Sequence, residues 1–123
     1  MSRPHEAYAS AAKIAPTDPR ELEASVLLKA ASQLQQIRDN WEGTPGKVLY
    51  DALVYNRKLW TIFATSVTEE ESPLPRETRQ NIANLALFIF KHTLAIQTEP
   101  VPESLDTLIN INRQIAAGLL QKG

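Results

Sequence analysis

Leu49, Leu53, Asn56, Trp60, Phe63 and Val67 follow one another at steps of four, three, four, three and four residues. That is the spacing of a helix seam packed along a neighbouring helix. Asn56 therefore lies inside an otherwise apolar stripe. A second stripe of Val48, Ala52, Tyr55, Leu59 and Ile62 runs beside the first, leaving a polar rim of Lys47, Asp51, Lys58, Thr61 and Thr65. An apolar face this wide touches more than one helix. Thr44 as cap and Pro45 as first helical residue set the expected start. The acidic run at 69–71 would oppose the negative end of the helix dipole, so the helix is expected to stop before it as a solvated loop begins.

The same procedure divides the rest of the chain. Asp18 followed by Pro19 and Glu21 is a start signal, with the Asp18 carboxylate expected to accept from the Glu21 amide and Glu21 to reach back to the cap. The stripe then predicted to face inward is Leu22, Val26, Ala30, Leu34, Ile37 and Trp41, stopped by Gly43. A third helix is predicted to open around "SPLPRET" at 72–78, with Glu77 in its first turn, and to run to about Ile96, with Ile82, Leu85, Ile89, His92 and Ile96 as its seam and Leu87, Phe90 and Leu94 pointing elsewhere. Being apolar nearly all round, it belongs in the middle of a bundle or beneath a second partner. A fourth carries Leu105, Leu108, Ile111, Ile115 and Leu119 and is expected to stop near Gly118. No stretch alternates with period two for the length of a strand. The expected fold is all-α: a compact helical bundle of four main helices over 18–120, with an additional N-terminal helix or arm at 1–15. That first piece is alanine-rich and too short to be a stable helix unless it docks.

Composition narrows the chemistry. The chain has 123 residues, no cysteine, a formal net charge of −1 and 22% charged residues. Disulfides, thiolate metal sites and cysteine nucleophiles are thereby excluded, and a reducing, cytoplasmic setting is the expected home. The near-neutral balance argues against direct nucleic-acid binding, which needs a cationic surface. The longest apolar run, 82–90, is broken by Asn84 and falls far short of the ~20 residues of a membrane span. His5 and His92 are the only histidines and neither has a ligand partner at metal spacing. His92 reads as a satisfied core or boundary histidine. "GTPG" at 43–46 has the glycine spacing of a KH loop but lacks following strands, and reads as a corner between helices. No phosphate loop, nucleophile elbow or catalytic carboxylate pair is present. The expectation is a protein that is not an enzyme, with no catalytic residue, no cofactor and no metal.

Four blocks bear a family likeness: "RELEASVLLKAA" at 20–31, "LVYNRKLWTIF" at 53–63, "PLPRETRQNIANLALFI" at 73–89 and "LININRQIAAGL" at 108–119. In this order, across about Tyr8 to Leu119, they resemble the FlaF family of flagellar biosynthesis proteins. The resemblance implies a cytoplasmic bacterial factor needed for flagellin production and filament assembly, similar to an export chaperone that binds flagellin and works alongside FlbT. The other function open at this point is an RNA-acting or FlbT-associated regulator of flagellin expression, for which Arg20, Lys29, Arg38, Lys47, Arg57 and Lys58 would have to cluster. The motif positions carried over as candidate partner-binding residues are Asn56, Leu59, Trp60 and Phe63 in the second block and Asn112 and Arg113 in the fourth. For Asn56 the alternatives are an interior amide that fixes helix register or one wall of a groove for an incoming helix.

Overall fold

The computed structural model describes residues 18–69 and 72–121. Within them run four helices, α1 (Pro19–Asp39), α2 (Gly46–Thr68), α3 (Arg76–Thr98) and α4 (Leu105–Leu120), with 3-10 turns at Trp41–Gly43 and Pro102–Ser104. No strand occurs among the described residues. The fold is the all-α helical bundle that the periodicities predict; the expected arm at 1–15 lies outside the described residues.

The helix ends follow local chemistry, with small shifts from expectation. At the start of α1 the Asp18 carboxylate accepts the Arg20 amide at 2.9 Å, while the Glu21 amide goes to the Asp18 backbone carbonyl at 3.1 Å. Pro19 takes the first helical position, where its missing N–H has no partner to lose. Pro45 holds extended backbone, so α2 starts one residue later than expected, at Gly46. Thr44 does not cap it; its hydroxyl turns back and donates to the Asn40 carbonyl at 2.7 Å. α2 ends at Thr68, and Glu69 is already extended. α4 runs past Gly118 to Leu120; Gly118 has no positive φ, so it is not the left-handed stop that a C-terminal glycine often supplies.

Neighbouring helices are antiparallel, as short connections require. Glu23 near the start of α1 meets Ser66 near the end of α2. Thr61 and Phe90, then Tyr50 and Leu94, line one crevice between α2 and α3. Arg38 at the end of α1 pairs with Asp106 at the start of α4, Nε to Oδ1 3.1 Å. α1 and α4 make the most intimate contact in the molecule. Ala24, Ala31 and Ala116 are fully buried, and such small side chains let two helix axes approach toward the short end of the usual 8–10 Å range.

Around this line the core is continuous, from Leu27 and Leu34 of α1 through Leu53, Trp60 and Phe63 of α2 to Ile82, Ile89 and Ile96 of α3 and Leu105, Leu108 and Ile109 of α4. The inward stripe of α1 keeps Ala30, Leu34 and Ile37 of the predicted one and departs from it in the first turns. Ala24, Leu27 and Ala31 are buried and Leu22 is exposed, because α1 turns its alanine side to α4. α3 is not central: it packs mainly on α2 and leaves Leu87, Phe88 and Leu94 in solvent. In its seam Ala86 and Thr93 are buried, while Leu85 and His92 are half-buried.

Candidate partner-binding surface and the polar centre behind it

The α2 seam carries a polar centre. Asn56, Trp60 and Asn112 are all fully buried. The Trp60 indole N–H donates to Asn112 Oδ1 at 2.8 Å. Asn112 Nδ2 donates in turn to Asn56 Oδ1 at 2.8 Å and to the Leu27 carbonyl at 3.3 Å. One amide on α4 thus ties α2 to α1 through both of its ends. Buried polar groups cost free energy unless bonded, and this arrangement satisfies the indole and the Asn112 amide only when the three helices sit in one register. The Asn56 amide nitrogen and the Thr93 hydroxyl, also buried, have no protein partner. Phe63 closes the centre, its ring edge-on to Trp60 with centroids 5.3 Å apart.

Of the six candidate contact residues, Asn56, Trp60, Phe63 and Asn112 therefore lie within the core. Leu59 is half-buried and Arg113 is exposed. The four interior residues are buried; they fix the positions of helices whose other faces meet solvent. Asn112 borders the stripe predicted for α4 but sits at the middle of the observed one, between Leu108, Ile109 and Ala116.

A crevice runs along each flank of α2, mainly apolar toward α1 and mixed toward α3, and Ile37, Trp41, Leu49 and Pro100 line a smaller apolar one by the turn between α1 and α2. Between α1 and α2 run Gln33, Gln36, Ile37, Val48, Asp51, Ala52 and Tyr55. Val48 is 47% exposed, Tyr55 41%, Ile62 70% and Leu22 63%. Between α2 and α3 run Tyr50, Arg57, Thr61, Phe90, Leu94 and Gln97. Leu22 and Leu94 were not among the sequence candidates. The signal for Leu94 was available in α3, where the apolar residues outnumber those that one seam can bury. A further depression, at the first turns of α3, is lined only by polar side chains, Arg76, Glu77, Thr78, Gln80, Asn81 and Asn84.

Among the described residues, much of the positive charge is paired. Three of the six cations that would have to cluster are held by carboxylates: Arg20 by Glu23 at 2.9 Å, Arg38 by Asp106 and Lys47 by Asp51 at 2.9 Å. The hydrogen bonds that Arg38 and Lys47 donate to Asp106 and Asp51 raise the pKa of both cations. Burial pushes the Glu23 carboxyl up, against the lowering influence of Arg20 and the Ser66 hydroxyl. His92 lies between a stacked Phe88 ring, 5.3 Å away, and the Ser104 carbonyl, 2.8 Å from Nε2. It fastens α3 to the turn before α4. Among the described residues no three His, Cys, Asp or Glu side chains come together as metal ligands, and no helix is long and apolar enough to cross a membrane.

The bundle, its polar centre and its apolar flanks all fall inside one family match. The family described as flagellar protein FlaF matches residues 4–119. This chain belongs to the FlaF family. The match takes in all four helices, so the polar centre and the exposed flanks of α2 both belong to the FlaF unit. Comparison with curated proteins and with solved structures finds no significant match.

Proposed function

We propose that this FlaF protein is a cytoplasmic flagellin-binding export chaperone, needed for flagellin synthesis or secretion and filament assembly, with FlbT as a further partner. The observation that carries the reading is the combination of a closed interior with an apolar flank left in water. Leu22, Val48, Tyr55 and Ile62 are exposed although the core behind them is continuous. Exposed apolar patches of this kind mark interaction surfaces on otherwise hydrophilic proteins. A helix-forming segment of a client laid along such a flank would gain about 1.5–3 kcal/mol for each Val, Leu or Ile fully covered, offsetting the ordering of the segment. Coverage would keep flagellin from polymerising before export. Because a complex depletes the free pool of both partners by mass action, it would also couple flagellin level to FlbT.

A role on flagellin message has less support, since half of the cations it needs are committed to carboxylates within the chain. Titration calorimetry of the full chain with purified flagellin tests the proposal. Saturable heat and co-elution are expected. Absence of both, together with salt-sensitive binding to flagellin message, would replace it with the RNA reading.

A further inference from the structure

Resting on the flagellin-binding reading, we propose that the client enters the crevice between α1 and α2, and enters it as a single amphipathic helix whose apolar stripe repeats every seven residues and is flanked by acidic side chains. The two flanks of α2 differ in a way that selects one. Toward α1, Val48, Ala52, Tyr55, Leu59, Ile62 and Ser66 follow one another at four, three, four, three and four residues. This is a second seam parallel to the buried one, and an exposed seam of that spacing fits the side chains of another helix. From Val48 to Ile62 it extends over roughly 21 Å, about four helical turns. Toward α3 the equivalent seven-residue positions on α2 are Tyr50, Arg57 and Ala64, which form no continuous apolar row.

The α1 wall matches the seam at one end. Leu22 and Val26 lie on the side of α1 that faces the end of α2, where Glu23 reaches Ser66. At the other end the wall turns polar with Gln33 and Gln36. The client stripe is therefore most apolar where it meets Leu22 and Ile62.

Charge fixes the remaining feature. Lys29 follows Val26 on the same side of α1, and Lys58 occupies the position flanking the α2 seam between Tyr55 and Ile62. Both are exposed, and neither is among the ion pairs formed by the described residues. Asp51, which lines the crevice, is engaged by Lys47, and Glu23 by Arg20. Among the described residues the rim thus presents two cations that enter no ion pair, and flanking charges of this kind set the choice of partner helix. A second copy of the same seam would bring its own lysines to that rim, so the complement is an acidic helix from a different chain.

The test is calorimetry of purified flagellin with the parent chain and with Ile62→Asp, Lys58→Glu and Leu94→Asp. All three positions are exposed, and circular dichroism checks that each variant stays folded. Ile62→Asp is expected to abolish the heat, Lys58→Glu to weaken binding by about tenfold or more, and Leu94→Asp to bind as the parent does. Parent binding should weaken with added salt. If the parent binds and Leu94→Asp abolishes the heat while Ile62→Asp does not, the α1/α2 site is overturned and the chaperone reading stands. If Lys58→Glu binds as well as the parent, or more tightly, the acidic flank is overturned. If the parent itself gives no heat, the flagellin reading fails first.

Discussion

The contact between α1 and α4 and the outer flank of α2 are built from the same kind of periodic apolar helix, yet one is closed and the other open. Ala24, Ala31 and Ala116 are fully buried where α1 and α4 make their extensive contact. The Arg38–Asp106 pair holds one end, and the Asn112 amide reaches across to the Leu27 carbonyl. Along α2 the side chains facing out are larger, Val48, Tyr55 and Ile62, and have nothing over them. Leu28 and Leu120 are also exposed, but isolated exposed leucines are ordinary in soluble proteins. A seven-residue row is not. Small residues at regular spacing mark a contact the chain completes itself; large ones left at the same spacing are where we propose that the client docks.

The comparison breaks most severely at the polar centre on which both regions depend. Trp60→Ala leaves a cavity and strips Asn112 of its indole donor, an expected loss of about 3–5 kcal/mol by urea unfolding. A loss as small as that of a surface change would mean the three-helix register is fixed elsewhere. Ala116→Leu comes next, because the closed contact has no room for three more carbons; overpacking there is expected to cost about 1–3 kcal/mol. On the open side, Ile62→Ala should leave the unfolding midpoint within about 0.5 kcal/mol of the parent, since Ile62 is mostly in water already. A larger loss would show that Ile62 is covered in solution by the chain itself.

The smallest effect is electrostatic. With its folded pKa raised by burial, the Glu23 carboxyl is more readily protonated folded than unfolded. Its charge therefore subtracts stability above the carboxylate range, and the subtraction disappears as pH falls through that range. The urea midpoint of Glu23→Gln relative to the parent should accordingly rise as pH is raised from acid toward neutral. The opposite trend would mean that Arg20 outweighs burial.

How much of this was legible in the chain differs from helix to helix. On α2 the seam from Leu49 to Val67 was readable throughout, because bulky apolar residues there alternate with unmistakably polar ones; Leu53, Asn56, Trp60, Phe63 and Val67 are its buried members. On α1 it was not. Leu22, Ala24, Val26, Leu27, Leu28, Ala30 and Ala31 crowd the first turns, and several stripes fit equally well. Which one turns inward is decided by the alanine contact with α4, a tertiary fact. Asn112 was placed at the border of its stripe because the larger Ile111 and Ile115 outvote it in a pattern of hydrophobicity; in the fold, its hydrogen bonds to Trp60 and Asn56 put it at the centre. The apolar excess of α3 was visible, but its peripheral place against α2 was not. Of the candidate contact residues, the motif blocks led to the polar centre behind the surface rather than to the surface itself.

The most direct measurement is a methyl-resolved nuclear magnetic resonance titration of the full chain with purified flagellin. The account predicts that the methyl signals of Leu22, Val26, Val48, Leu59 and Ile62 shift while those of Leu28 and Leu120 on the α1/α4 side stay in place. Shifts confined to Leu28 and Leu120, with the α2 flank unmoved, would contradict it.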